Sequence, residues 1–432
     1  MDILIKTLQV ILSLSLLVLV HELGHFMWAR IFHIRVDKFY IFFDIGGKAL
    51  WKHKFGDTEY GIGWLPLGGY CKIAGMVDES MDMESLKKEP QPWEFRSHPA
   101  WQRLLVMAGG VLNNFILAIV IYMCIMGIWG ESHVGVKGSH IYATPLAEEM
   151  GFRTGDEILR MDDYVPDDFG MLQADLVRRD VSMVQVLRDA DTVDIYIDKN
   201  LVPAALNSPL FDLALPFVVD SVDVTRQNAD AGLEKGDRFT AFDSTQVRYM
   251  QDARKVLSSL AGRTVSATVE RGTAMLTLPV KVDTSGMLGV YIRMPEVVHR
   301  DYSFAEAIPA GWSLTFKTMG GYLKDLKMLA TPSTGAYKSV GSFIAIGQVF
   351  PSAWDWYQFM YILALLSIML GVMNLIPIPG LDGGHILFTL YEMVTGRKPS
   401  DKFLAVMQMI GMVLLVALML LAFGNDIGRI IR

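Results

Sequence analysis

A predominantly apolar stretch from Ile3 to Ile34 carries His21-Glu22-Leu23-Gly24-His25 inside it, and this embedding restricts the chain more than any other feature. Between Leu8 and Val20 only Gln9, Ser13 and Ser15 interrupt the aliphatic residues, so the motif is presented at bilayer depth. Histidines four apart fall on one face of a helix, where two neutral imidazoles can hold zinc while the intervening glutamate reaches a metal-associated water. Ionisable side chains at that depth are costly and mark function.

The rest of the chain supports a membrane setting. Its 432 residues are 52% hydrophobic, too apolar for an ordinary cytosolic protein. A net charge of -7 offers no basic face for nucleic acid, which is excluded as a partner. With Cys71 and Cys124 as the only cysteines, one in a Gly-rich loop and one in an apolar helix, no disulfide framework is expected. The first segment has a weak basic region and no small-residue cleavage site before His21, so it reads as a retained anchor. Four spans are expected, at residues 1–34, 104–129, 355–382 and 403–424, each close to the roughly 20 residues that cross hydrocarbon.

Residues 35–103, with 10 Lys or Arg counted from Ala29 to Ala100, and the connection 383–402, with Arg397, Lys398 and Lys402, are assigned to the cytoplasm by their positive charge. Residues 130–354 are then extracytoplasmic, and 425–432 form a short tail. Within the outer stretch, Gly151-Phe152-Arg153-Thr154-Gly155-Asp156-Glu157-Ile158 is echoed by Gly232-Leu233-Glu234-Lys235-Gly236-Asp237-Arg238-Phe239, and Asp162 and Asp243 keep the same offset. The repeat implies two copies of one unit, at 130–207 and 208–295, whose pattern resembles PDZ domains, which bind extended peptides at a sheet edge. Residues 296–354 read as an amphipathic helical region, lying on the outer membrane surface or packed as a bundle helix on the second module.

A third ligand is expected in Asn374-Leu375-Ile376-Pro377-Ile378-Pro379-Gly380-Leu381-Asp382-Gly383-Gly384, where prolines interrupt a helix and an unwound segment carries a carboxylate. The first and third spans cross in the same direction, and both hold their polar motifs toward their C-terminal ends. His21, His25 and Asp382 therefore lie at similar depth. Together these motifs resemble the site-2 protease family of intramembrane zinc metalloproteases over nearly the whole chain. The resemblance implies a polytopic α-helical membrane protein of four transmembrane helices with a re-entrant β-hairpin loop, plus two extracytoplasmic PDZ-like α+β modules. It implies Zn²⁺ held by His21, His25 and Asp382, with Glu22 as the base. It also implies Asn374, Pro377 and Pro379 as substrate-contacting or loop-shaping residues, and Asn114 as a family asparagine near the substrate.

The run Tyr60 to Tyr70 looks like the family's re-entrant β loop; Gly61 and Gly63 are its candidates for contact with a substrate strand. The likeness implies single-span membrane proteins as substrates, of the anti-sigma-factor type after a first outer cut, or remnant signal peptides, in contact with membrane lipid. The implied place is the bacterial inner membrane, with the modules in the periplasm and the active site toward the cytoplasm. Two positions depart from the family: Ile45-Gly46-Gly47 stands where Gly-x-Gly is usual, and Met369 replaces an asparagine, so neither Ile45 nor Met369 receives a role. His385 would share a helical face with Asp382 if a helix resumed there. The run Asp78 to Pro99 is expected to be a surface helix and linker. Two rivals remain at this stage: a non-catalytic scaffold whose modules grip peptide tails, and a zinc hydrolase of lipids or small molecules.

Overall fold

The computed structural model describes residues 2–65, 68–76, 89–206 and 208–431. The chain divides into two units, Met1–Gly130 with Asp301–Arg432, and Glu131–Arg300. Among the described residues, four helices of the first unit are long and apolar enough to cross a membrane, and the chain is a multi-pass membrane protein with β-rich parts.

Helix α1, Asp2–Ile31, is largely apolar, and four of its polar residues follow the helical period. Gln9, Ser13, His21 and His25 join Leu17 on a single buried stripe, so the polar atoms point into the bundle and the aliphatic remainder is left for lipid. Four strands follow: β1 Val36–Ile41, β2 Ala49–Phe55, β3 Thr58–Gly63 and β4 Tyr70–Ile73. They form one sheet in the order β2-β3-β1-β4, with β1 and β3 parallel and the other pairs antiparallel. Of the expected surface helix at 78–99, residues 78–88 lie outside the described residues; the remainder holds turns and a short 3-10 segment, Phe95–Ser97.

Helix α2, Ala100–Trp129, begins after Pro99 and stops at Gly130, whose φ of 69° suits a residue without a Cβ. Its glycines let α1 come close: a Cβ on Gly24 would collide with the backbone of Gly109. Small residues at such crossings are the usual means of helix association in lipid.

The second unit contains β5 Glu131–Val134, β6 Ile141–Ala143, α3 Pro145–Glu149, β7 Glu157–Met161, α4 Leu172–Arg178, β8 Met183–Arg188, β9 Asp191–Tyr196, α5 Val202–Ala205 and β10 Phe211–Leu213. It continues with β11 Val219–Val222, β12 Arg238–Phe242, β13 Thr245–Gln246, α6 Met250–Ser259, β14 Thr264–Arg271, β15 Ala274–Lys281, β16 Val290–Ile292 and β17 Val297–Arg300. The sequence repeat is a repeat of bonding. Asp156 is buried and takes two hydrogen bonds from Arg188, at 2.7 and 2.8 Å, while the same guanidinium donates to the Gly151 carbonyl. Asp237 is buried and takes two from Arg271, also at 2.7 and 2.8 Å, with a further bond to the Gly232 carbonyl. Arg271 holds the Asp237 carboxyl below the usual carboxylate range. Asp162 and Asp243 both adopt φ of 49° and both accept from the backbone of a later strand, at Met183 and Ser266.

Two boundaries need correction. Strand β10 pairs with β6, and Leu210 is fully buried, so the first copy runs past the expected limit at residue 207. The second copy has its own core, beginning at Phe217. Residues 297–300, expected in a helical region, form β17 and pair with β5.

Helix α7, Phe304–Leu329, starts at a capping box in which Ser303 and Glu306 bond reciprocally. It does not lie free on a surface but packs on a membrane-spanning helix of its own unit. Its small stripe Ala307, Gly311 and Thr315 is buried, with Gly311 against Met123 of α2. Then come α8 Phe343–Val349, α9 Trp356–Leu375, α10 Asp382–Thr395 and α11 Asp401–Ile431. The expected third span thus ends at Leu375 rather than 382, and most of the connection at 383–402 is helix α10.

Candidate metal centre

Two proline rings without N–H groups stop α9, and the chain runs unwound from 376 to 381. Gly380 turns at φ 98°, and α10 restarts beneath the loop because Gly383 and Gly384 carry no Cβ to strike the carbonyls of Leu375, Ile376 and Ile378. This return brings the carboxylate of Asp382, in the first turn of α10, onto the polar stripe of α1. Its Oδ2 lies 3.2 Å from His21 Nε2 and 3.3 Å from His25 Nε2. The two Nε2 atoms are 3.3 Å apart. Each of the three side chains offers one ligand atom, and these atoms lie within 4.8 Å of one another.

The opposite nitrogens of the two rings are already engaged. His25 Nδ1 donates to the Val106 carbonyl at 2.8 Å. The Asn114 amide is 3.0 Å from His21 Nδ1, and turning its oxygen toward that nitrogen lets it accept the Nδ1 proton and gives the otherwise unpartnered Oδ1 a bond. Both imidazoles then present Nε2 lone pairs inward, the arrangement that outer hydrogen bonds impose on ligating histidines. Asp382 Oδ2 is buried without a hydrogen-bond partner. An orphaned carboxylate oxygen facing two imidazole lone pairs fits a divalent cation, and two nitrogens with one oxygen fit zinc with a coordination position left open. Gly110 makes room for the cluster, since a Cβ there would sit 2.5 Å from His25 Nε2.

The open side is a cavity of about 720 Å³. Glu22, Asn374 and His385 line it with the two histidines and Asp382, and the backbone N–H of Cys71 donates to the Glu22 carboxylate. Asn374 Nδ2 is 3.4 Å from His21 Nε2. The cavity wall also includes Lys38, Asp44 and Tyr70. Burial disfavours charge on Asp44, but Lys38 and the Tyr70 hydroxyl both donate to its carboxylate, at 3.0 and 2.8 Å, and hold it below the usual range.

Two sequence assignments are displaced. Gly61 and Gly63 were expected on an open edge facing a substrate; both are buried in β3, a strand flanked by β2 and β1, Gly61 is paired on both sides, and neither lines the cavity. Their lack of a Cβ accommodates Tyr40 and the Phe43 backbone instead. Asn114 is fully buried against His21 and is closed to a substrate. Pro377 and Pro379 shape the loop without lining the cavity, whereas Gly380 and Leu381 do line it. The edge strand at the cavity is β4, through Tyr70, Cys71, Lys72 and Ile73. Sequence reading missed β4 along with Gly24, Gly109, Gly110 and the Val106 carbonyl. The glycines had a signal in the pair that precedes Asn114; a carbonyl has none.

Comparison with known proteins gives a family for the chain. The model of Peptidase family M50 matches residues 9–418. The regulator of sigma-E protease RseP of Escherichia coli is 30% identical over 468 residues, covering 97% of this chain and 98% of that protein. The protein of the same name from Salmonella typhimurium is 29% identical over 454 residues, covering 97% and 98%. A Neisseria meningitidis protein whose name refers to a zinc metalloprotease is 29% identical over 453 residues, covering 98% and 99%. The chain therefore belongs to peptidase family M50, the zinc-dependent metalloendopeptidases of the site-2 type.

Proposed function

We propose that the chain cuts the membrane-spanning segment of single-span proteins within the inner membrane of a bacterium. In this reading His21, His25 and Asp382 hold the zinc and Glu22 is the base. The reading rests above all on one observation: Asp382 Oδ2 meets both imidazoles on a transmembrane helix, beside a cavity that also admits Glu22. Bound zinc supplies Lewis acidity to the scissile carbonyl and to the attacking water. Glu22 accepts the water proton and returns it to the departing amine. Asn114 and the Val106 carbonyl keep both rings turned inward. Asn374 contacts the substrate backbone near the cut, and Pro377 and Pro379 fix the loop that delivers Asp382.

A substrate helix hides its carbonyls in its own hydrogen bonds and must unwind before it is cut. The sheet β1–β4 is the re-entrant element of this family, and the edge of β4 offers replacement bonds to the unwound strand beside Glu22. The two repeats in residues 131–300 are PDZ-like modules in the periplasm that keep intact substrates out, and the active site opens toward the cytoplasm. The relatives named as regulators of sigma-E support substrates of the anti-sigma-factor type, already shortened outside, and a role in an envelope stress response. Remnant signal peptides are a second substrate class.

Zinc quantification on the purified full chain, paired with cleavage of a model membrane peptide, tests the reading. One zinc per chain with peptide products is expected, and His21→Ala should abolish both. A non-catalytic scaffold would lack stoichiometric zinc and tolerate His21→Ala, and a lipid hydrolase would release lipid products. Asn114→Ala, which frees the His21 ring, is expected to weaken zinc about 10- to 100-fold in competition with a chelator; unchanged affinity would remove its orienting role.

A further inference from the structure

Strand β2 is the edge of the sheet away from the zinc cavity, and every residue of it beyond Ala49 is exposed. Its composition is unusual for an open edge. Leu50 and Phe55 are each 73% exposed and Trp51 55% exposed. Lys48, Lys52 and Lys54 are exposed beside them, and none makes an ion pair among the described residues. Lysines alone would be explained as protection of a free edge against strand pairing. Three large apolar side chains at the same edge defeat that purpose, so a second partner is required.

The register identifies it. His53 stands opposite Tyr60, which stands beside Phe39 in β1. Phe39 and Tyr60 pack against Phe26 of α1, with ring centroids 5.2 and 6.0 Å from it. This face of the sheet therefore looks toward a membrane-spanning helix. Side chains alternate along a strand, so Trp51 and Phe55 share the face with His53, and they prolong it past the point where α1 covers it. Lys52 and Lys54 project from the opposite face, and their stems can carry the ammonium groups to nearby phosphates. Strand β1 begins five residues after α1 ends, which keeps the sheet close to that end of the spanning helix.

We infer that β2 is a docking strand for anionic phospholipid headgroups, with Trp51 and Phe55 entering the interface and Lys48, Lys52 and Lys54 neutralising lipid phosphates. Aromatic side chains settle at headgroup level, and each lysine near an anionic leaflet adds severalfold to the attraction. The occupant is a bilayer surface, and not a soluble phosphate, because phosphate alone gives no reason for the exposed aromatic and aliphatic groups. Nothing in this inference requires the peptidase reading.

The test is hydrogen–deuterium exchange on the full chain in nanodiscs of phosphatidylcholine alone or with phosphatidylglycerol. Amides of residues 49–55 on the free edge are expected to exchange roughly tenfold more slowly in the anionic discs, and to lose that protection at about 1 M salt. The triple variant Lys48→Gln, Lys52→Gln, Lys54→Gln should exchange alike in both lipids, and the matching triple to Arg should stay protected. Equal exchange of the parent in both discs overturns the inference, as does protection that survives the Gln variant. Protection that appears only on adding a substrate peptide, in either lipid, would assign the edge to substrate and overturn it as well.

Discussion

Glu22→Gln is expected to retain one zinc per chain and to cut a model membrane peptide about 10²- to 10⁴-fold more slowly than the parent, the usual contribution of a positioned general base. The substitution keeps the shape of the side chain and its place on the cavity wall, and an amide oxygen can still accept from the Cys71 N–H. Only the capacity to take a proton is lost. Equal zinc content in the two proteins separates that loss from collapse of the centre. Turnover within tenfold of the parent would remove Glu22 from the role of base, leaving the ligand assignment standing.

The second large effect concerns the outer unit. Asp237→Ala should destabilise residues 131–300 by about 1.5–3 kcal/mol, because the fully buried carboxylate takes two hydrogen bonds from Arg271 and one from the Glu234 N–H. Asp156→Ala should act alike through Arg188. Denaturant-dependent proteolysis of the full chain reads both. Acid should mimic the variant. The Asp237 carboxyl is held below its unfolded value, so its contribution is complete above ordinary carboxylate pKa values and fades as pH falls through the lowered one. A small change, under about 1 kcal/mol, would mean that the pair adds little to the stability of this unit.

His21, His25 and Asp382, which meet at the centre, were named from two short motifs, His21 to His25 and Asn374 to Gly384, because ligand chemistry needs particular residue types at fixed spacings. The repeat was legible for a similar reason: Gly151 with Gly155 and Gly232 with Gly236 all require positive φ, and few residues can replace them. Its binding partners were not legible, since Arg188 and Arg271 lie on later strands with nothing local to link them to Asp156 and Asp237. Strand order was the largest miss. A glycine-rich run at 60–70 reads as an open edge, but β3 pairs in parallel with β1, which encloses Gly61 and moves the edge to β4. Parallel pairing joins segments that are not neighbours in the chain, and alternation along one strand cannot reveal it. Helix α7 was misjudged for the opposite reason: its large exposed residues dominated the reading, while contact with α2 is made by Ala307 and Gly311.

The pairing of β5 with β17 has a consequence for how such a protein can vary. Glu131 stands opposite Arg300, so residues 131–300 leave and rejoin the remainder through termini one interstrand step apart, about 5 Å. A self-closing excursion of this kind behaves as a cassette. It can lengthen, shorten or be exchanged for another fold with adjacent ends, while the hydrolytic machinery inherits no strain from the replacement.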